Sequence, residues 1–598
     1  MTAGSGPAAA DLASGSAATG NAAAAVTGHR RLLEQLRADG VRHLFGNPGS
    51  TEEGLLDEIA RFADVEYVLG LQEAAVVCTA DGYAQAAGRP SVVLLHSGVG
   101  LGNAVGSLCH ARQRGTPMVV LAGEAGVAYE PLEAHMAADL VAIARPVTKY
   151  ATRAVHPGSL LRQFRRCLKV AATPPRGPVL LALPQDVLDQ PNGEPVVPTV
   201  VPDTRAVPEP GLVREAARLL AGASSPLIVA GDGVAAGGAV AELAELAEAW
   251  GAQVRFGMAS ELLLPWTHPL SGGLMGHMFG EDSAAAVADA DAVLICGTYV
   301  FPDVFPLLTS PFREDARIVH VDLDPYAIAK NHPVTLGLVA DPRPTLRALT
   351  AALREETGDA GAAAAARRAE RIGAEAHRKR EAALEADRAD RDQMPLRMAA
   401  VAERLAGLLP DDAILFDEAL TNSPDLTRWL PPERPGAFFQ TPGGTLGVGI
   451  PGAVGAKLAH PDRTVVGCTG DGGAMFTFQA LWTAAHHGIG VKLIVCHNAG
   501  YRLLKENLVE YREALGDPEP AGEFPWFFDV GEPRIDFAAL AESLGVPAAR
   551  ITEPAEIEPV LRTMLGQDGP FLVEVWLERA VTGAAAEGGR CPLEVKQS

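Results

Sequence analysis

Cysteine is sparse and scattered in this chain: seven residues, at 78, 109, 167, 296, 468, 496 and 591, an odd number with no C-x-x-C pair. That excludes a disulfide framework and a spaced thiolate zinc site as organising devices, and the thiols read as reduced. Long apolar runs are also missing, since no stretch reaches the roughly 18 uninterrupted apolar residues of a membrane-spanning helix. Positive charge is in deficit, 50 Lys and Arg against 73 Asp and Glu, for a formal net charge of −23. A surface of that sign repels phosphate backbones and anionic lipids, which excludes a general nucleic-acid or membrane binder. A phosphorylated ligand would need a dedicated pocket. The first 28 residues are rich in Ala, Gly, Ser and Thr, with no basic region leading into an apolar core, so they read as a tail rather than a secretory signal. The expected location is cytoplasmic.

What is abundant points to a large α/β protein: 598 residues, 48% hydrophobic, with 63 Gly and 45 Pro to punctuate many strand-to-helix turns. Short apolar runs alternate with helical patterns in three blocks, and this rhythm predicts doubly wound parallel sheets covered by helices. A tail over 1–28 precedes the first block at 29–191, whose strands read HLFGNPG, EYVLG, SVVLLHSG, PMVVLAG and GPVLLALP. A proline-bearing linker (192–210) leads to a central block (211–355) with SPLIVAGDG, ADAVLICG and ARIVHVDLDP as strands. A charged helical linker (356–394) precedes the third block (395–579), with DAILFDEA, RTVVGCTGDG, VKLIVCHN and GPFLVEVW, and a tail over 580–598.

The most informative stretch is Gly470-Asp471-Gly472-Gly473, between a strand and a helical pattern. Such a turn exposes a carboxylate and the backbone N–H groups of Gly472 and Gly473 near a helix start, where a diphosphate is favoured. Asn498 follows 27 positions later, directly after the next strand. Two hard oxygen donors then arrive from the ends of neighbouring strands, as Mg²⁺ requires. An internal control shows how weak the short motif is alone: Gly231-Asp232-Gly233 also follows a strand, but 27 positions on stands Ala259. Thr421 and Asn422, after DAILFDEA, offer a hydroxyl and an amide to phosphate oxygens, although the same residue types also build caps and turns.

At these residues the chain resembles the thiamine-diphosphate-dependent decarboxylase and carboligase superfamily, whose binding motif is GDG followed after about this interval by Asn. The resemblance implies pyrimidine-binding, central and diphosphate-binding domains in that order. It implies Asp471, Asn498 and the Gly500 carbonyl as ligands of Mg²⁺, with Tyr501 reaching the diphosphate. Where relatives read Asn-Asn, this chain has His497-Asn498. Glu73, in Leu71-Gln72-Glu73-Ala74-Ala75 with Asp81-Gly82-Tyr83-Ala84 beyond, resembles the activating segment, whose carboxylate drives the cofactor's aminopyrimidine to its imino form. Alone, a Glu at a helix start is more often a cap. The run from Pro442 to Pro451 is similar to the loop that supports the pyrimidine, with the Gly444 carbonyl as acceptor and Leu446 as the bulky wedge.

Within the superfamily the first block is most similar to the benzoylformate decarboxylases, and acetolactate synthases are more distant relatives. The matching segments are G-N-P-G-S (Gly46–Ser50), L-Q-E-A (Leu71–Ala74), A-D-G-Y-A-Q-A (Ala80–Ala86) and L-H-S (Leu95–Ser97). This implies Ser50 as a hydroxyl for the substrate carboxylate and His96 as an acid/base. A second active-site histidine of those enzymes has no counterpart, and Val304 stands at the ungapped match. The implied activity is decarboxylation of a small 2-oxo acid through an enamine. Two alternatives are carried: transfer of the decarboxylated unit to a second carbonyl compound, as acetolactate synthases do, and an inactive cofactor-binding regulatory subunit. FAD is not expected. Glu73 and the metal motif lie on different blocks, so relatives imply a homodimer or homotetramer with active sites between subunits.

Overall fold

The computed structural model describes residues 26–579 apart from 277, 279, 302, 442 and 443, so Cys591 and most of both tails lie outside the described residues. Among the described residues, eighteen strands form three parallel six-stranded sheets with helices around each. The first holds β1 (His43–Gly46), β2 (Glu66–Leu69), β3 (Ser91–His96), β4 (Met118–Glu124), β5 (Tyr150–Arg153) and β6 (Pro178–Pro184), in the order β2-β1-β3-β4-β6-β5. The central sheet holds β7 (Pro226–Gly231), β8 (Gln253–Met258), β9 (Ser271–Leu274), β10 (Ala292–Cys296), β11 (Arg317–Asp322) and β12 (Leu336–Val339), in the order β12-β11-β10-β7-β8-β9. The third holds β13 (Ile414–Glu418), β14 (Phe438–Gln440), β15 (Val465–Gly470), β16 (Lys492–His497), β17 (Ala548–Ile551) and β18 (Phe571–Trp576), in the order β14-β13-β15-β16-β18-β17. The expected fold class, three doubly wound α/β domains, is therefore what the chain forms.

Numbered from its own first strand, the third sheet repeats the first: both run 2-1-3-4-6-5, whereas the central sheet runs 6-5-4-1-2-3. The two outer orders reverse between β1 and β3 and between β13 and β15, and again where β6 and β18 are inserted inside the edge strands β5 and β17. Ligand crevices open at such reversals, beyond the carboxyl ends of the strands. Every candidate residue but Val304 ends or follows a strand of the outer two sheets.

Sequence expectation and structure differ at several boundaries. Residues 26–28 belong to the first domain rather than the tail, because Thr27 bridges Pro191 and its hydroxyl caps the helix Gly28–Ala38. The charged helix starts at Pro342, not 356; Asp341 caps it, and a non-helical residue at Gly358 (φ 57°, ψ −163°) interrupts its run to Asp390. The 192–210 linker is strapped to the first domain, with Val197 and Thr199 bonded to Gln35 and Asp39. No described helix is long and apolar enough to cross a membrane.

The first and third domains interlock through the helices Glu73–Ala87 and Gly449–Ala459. Glycines make the contact possible: a Cβ at Gly455 would strike the Thr79 carbonyl, and one at Gly82 the Gly452 carbonyl. Lower numbers on one helix meet higher numbers on the other, so the pair is antiparallel. This leaves Glu73 and Gly449 at opposite ends of the interface.

Candidate active site

Glu73 opens its helix but does not cap it. The Gln72 side chain accepts the Ala75 N–H at 3.0 Å and takes that duty. The buried Glu73 carboxylate instead accepts from the Asn47 amide at 3.2 Å and the Asn103 amide at 3.0 Å. Asn47 follows β1 and Asn103 rides the helix Ser97–Arg114, so three segments converge on one carboxylate. Gly100, on that helix, passes close: a Cβ there would lie 3.3 Å from Glu73 Oε1 and 3.5 Å from His96 Cβ.

His96 ends β3, and the next residue, Ser97, has φ 46°, a strained value for a non-glycine residue. His96 Nδ1 lies 3.1 Å from Glu52 Oε2 and 3.1 Å from Thr51 Oγ1. Thr51 in turn donates a short hydrogen bond to Glu52. Glu52 is buried, and desolvation pushes its carboxyl up against the pull of Thr51 and His96. Ser50 opens the same short turn with an exposed side chain. The sequence reading missed Glu52, Asn47 and Asn103. Each is an unremarked polar residue near a strand end, and only packing makes it a partner of Glu73 or His96.

The second cluster lies in the third domain. Asp471, buried at the end of β15, accepts the Gly472 N–H at 2.7 Å and the Ala499 N–H at 2.6 Å. The weaker Gly-Asp-Gly makes the equivalent bond, from the Ser260 N–H to Asp232 at 2.6 Å. Both aspartates thus bind the amide 28 positions on, and the side chain one position before it, Asn498 or Ala259, separates a candidate cation site from a plain turn. Asn498 is buried, with its Oδ1 3.2 Å from the Gly500 N–H, and the Gly500 carbonyl accepts from Arg502 at 3.0 Å. Each oxygen keeps a second lone pair.

Burial raises the Asp471 carboxyl pKa, and its hydrogen-bond partners are backbone amides rather than a cation. A buried carboxylate beside an amide oxygen and a backbone carbonyl is a donor set that suits a hard divalent ion such as Mg²⁺. Among the described residues no cluster of three His, Cys, Asp or Glu offers a competing site.

Tyr501 packs its ring against the same turn; a Cβ on Gly472 would sit 2.5 Å from Cε1. Thr421 and Asn422 follow β13 and line a small pocket of about 100 Å³ with Arg397 and Arg502. Leu420, just before them, has φ 51°. Gly444 is exposed with φ 80°, and Leu446 is half-buried. His497 is buried with its Nδ1 2.7 Å from buried Glu574, and its ring packs on Trp576 and Phe537. The His-for-Asn departure is thus absorbed by packing behind the strand.

Within one chain these two clusters stay apart. Gly100 adjoins Glu73 while Gly444 adjoins Gln113, and residues 100 and 113 lie on one helix. At 1.5 Å per residue that separates them by about 20 Å. Likewise Leu69, just before Glu73, bonds Thr483 and His487, at the far end of the helical run that begins at Asp471. Apolar side chains stand exposed beside each cluster, Leu71 and Val99 near Glu73 and His96, Met475 and Phe476 after Asp471. Val304 is 53% exposed on the loop after β10. A separate cleft of about 730 Å³ between the first and central domains is lined in part by Arg112, Arg114, Arg176, Glu261 and Asp322.

Comparison with known proteins gives consistent results. Residues 26–143 match the thiamine pyrophosphate enzyme N-terminal TPP binding domain, 213–349 its central domain and 422–575 its C-terminal TPP binding domain. The chain is 31% identical over 557 residues to a benzoylformate decarboxylase of Pseudomonas aeruginosa, covering 92% of this chain and 98% of that protein. It is 29% identical over 578 residues to a probable acetolactate synthase large subunit of Methanocaldococcus jannaschii, covering 92% of each. Among solved structures, the thiamine diphosphate-dependent 4-hydroxybenzoylformate decarboxylase of Rhodococcus jostii superposes with a TM-score of 0.79 at 27% identity, over 92% of this chain and 99% of that one.

Proposed function

Because this chain belongs to the thiamine pyrophosphate enzymes, whose three domains it carries in order, we propose that it cleaves the bond between the carboxylate and the carbonyl carbon of a 2-oxo acid, releasing CO₂. The observation that carries this reading is Glu73: a buried carboxylate relieved of helix capping, held by two amides and set beside His96. Thiamine diphosphate with its divalent metal, when bound, supplies the nucleophilic carbon and the electron sink for the departing carboxylate.

The chain's own residues then have distinct tasks. Asp471, the Asn498 amide oxygen and the Gly500 carbonyl hold Mg²⁺, while Gly472, Gly473, Thr421, Asn422 and Tyr501 bind the diphosphate. Gly444 and Leu446 support the pyrimidine, and Glu73 exchanges a proton with its ring nitrogen. Ser50 orients the substrate carboxylate. His96, steadied through Nδ1 by Glu52 and Thr51, presents its other ring nitrogen to move a proton near the reacting carbon. Because Leu69, just before Glu73, packs against the end of the helical run farthest from Asp471, a second copy completes each site, and the working assembly is at least a homodimer.

One feature favours a second outcome. Val304 stands where the benzoylformate decarboxylases resembled have another histidine, which leaves one proton donor fewer to release a free aldehyde. Transfer of the decarboxylated unit to an acceptor carbonyl, the acetolactate-synthase outcome, then competes. The intact Glu73, Asp471 and Asn498 weigh against an inactive regulatory subunit.

The test is incubation with thiamine diphosphate, Mg²⁺ and a panel of 2-oxo acids including benzoylformate and pyruvate, each with and without an acceptor aldehyde, while CO₂ and products are quantified. Aldehyde without acceptor supports the decarboxylase, and hydroxy ketone formed only with acceptor supports the carboligase. No CO₂ from any acid, with Glu73→Gln no different, would sink the proposal.

A further inference from the structure

Glu418 ends β13, 1% exposed, and none of its hydrogen-bond partners is a cation. Four donors converge on it instead. Oε1 accepts the Gly447 N–H at 2.8 Å and the Val448 N–H at 2.9 Å; Oε2 accepts the Gly449 N–H at 2.7 Å and the Thr469 hydroxyl at 2.9 Å. Burial raises the carboxyl pKa, and these bonds oppose that rise. An ionised carboxylate is the one side-chain group of this size that can accept all four and donate nothing.

The donors come from the two turns assigned above to the cofactor. Gly447–Gly449 closes the pyrimidine-supporting loop and starts the helix Gly449–Ala459, where a negative charge is favoured. Thr469 lies one residue from the end of the strand that delivers Asp471, and a Cβ on Gly473 would lie 3.0 Å from the Thr469 hydroxyl and 3.5 Å from Glu418 Oε2. The loop is pinned from its other side as well, since the Thr477 hydroxyl, on the helix after Asp471, donates to the Gly447 carbonyl. Gly447 has φ 89°, which glycine adopts without strain, so its own backbone preference does not fix the loop in this one conformation. A neutral cap or an apolar plug would fill the space under the loop. It would not bind three consecutive amides and the neighbouring strand at once.

Resting on the proposed cofactor site, we infer that Glu418 is a positioning residue that locks the pyrimidine loop to the metal and diphosphate turn, so that both are in register before thiamine diphosphate arrives. Binding then does not have to order a glycine-rich loop, and affinity rises by what that ordering would cost. Glu418 itself touches neither substrate nor cofactor.

The experiment compares full-length wild type, Glu418→Gln and Thr477→Val. It reads melting temperature without cofactor, the Kd for thiamine diphosphate at saturating Mg²⁺ by fluorescence titration, and the near-ultraviolet circular dichroism of the bound cofactor. Glu418→Gln keeps the size but turns two N–H donors toward groups that also donate. The expected result is a folded protein whose Kd rises about tenfold or more, with a weakened dichroic band. A folded Glu418→Gln protein with unchanged Kd and dichroism, whatever its melting temperature, overturns the inference. If Glu418→Gln does not fold, Thr477→Val decides: a Kd raised about threefold or more supports it, and an unchanged Kd overturns it. Wild type that fails to bind thiamine diphosphate at all refutes the functional reading itself, a result distinct from equal binding by wild type and variant.

Discussion

Glu73 and Glu52 are both buried near the carboxyl ends of adjacent strands, yet their partners give them different work. Two carboxamides face Glu73 and cannot exchange protons at neutral pH, so its proton traffic is left to a ligand. Glu52 faces an imidazole and a hydroxyl, and its effect passes through His96. Glu73→Gln is accordingly expected to lower CO₂ release by about 10²-fold or more, with thiamine diphosphate affinity changed only a few-fold; stopped-flow CO₂ detection and a binding titration check the pair. A stability effect belongs at this scale too. Burial pushes the Glu261 carboxyl, on the wall of the interdomain cleft, up to about 7 from an ordinary 4.5. A folded-state pKa above the unfolded one means the native protein holds the extra proton, so this contribution is full below about pH 4.5 and is lost as pH rises through 7. Glu261→Gln should therefore flatten the melting-temperature profile between pH 5 and 8 and be more stable than wild type at pH 8, by about 3 kcal/mol at most. Parallel profiles for the two proteins would contradict this.

Elements were legible in proportion to how continuous their apolar runs are. β4 and β6 are buried along almost their whole length, and both were readable as strands. The strands missed were β5, β8, β9, β12, β14 and β17. Five of these are edges, only three or four residues long with partly exposed faces. β8 lies inside the central sheet, but Gln253 and Arg255 break its run. An edge strand gets its order from one neighbour, which local pattern does not reveal. The helix pair that joins the first and third domains was equally hidden, since its message is a set of small residues rather than a periodic stripe. Gly455→Ala would press a Cβ into the Thr79 carbonyl, and thermal unfolding should show a loss of about 1–3 kcal/mol, toward the upper end because backbone cannot rotate away. No loss would mean that the helices can slide apart.

For the whole molecule, the separation of Glu73 from Asp471 makes a sharp prediction. Glu73→Gln and Asp471→Ala chains should each be inactive alone. Mixed under conditions that allow subunits to exchange, they should regain about a quarter of wild-type activity, because half of randomly paired dimers are mixed and each mixed dimer has one intact site. A site formed within one chain would regain nothing, and activity measured before and after exchange distinguishes the two. By itself the sequence determined the α/β class, the three blocks, and the candidate cofactor and metal residues. Strand, turn and next-strand spacing is local, and 27 positions suffice to pair Asp471 with Asn498. Only the tertiary structure decided that Glu52 stands behind His96, that Gln72 rather than Glu73 caps its helix, that Glu418 backs the 447–449 loop, and that the Glu73 and Asp471 clusters of one chain stay apart. Those outcomes depend on which buried donors reach which carboxylate and on how two helices cross, and both are set by packing between segments far apart in the chain.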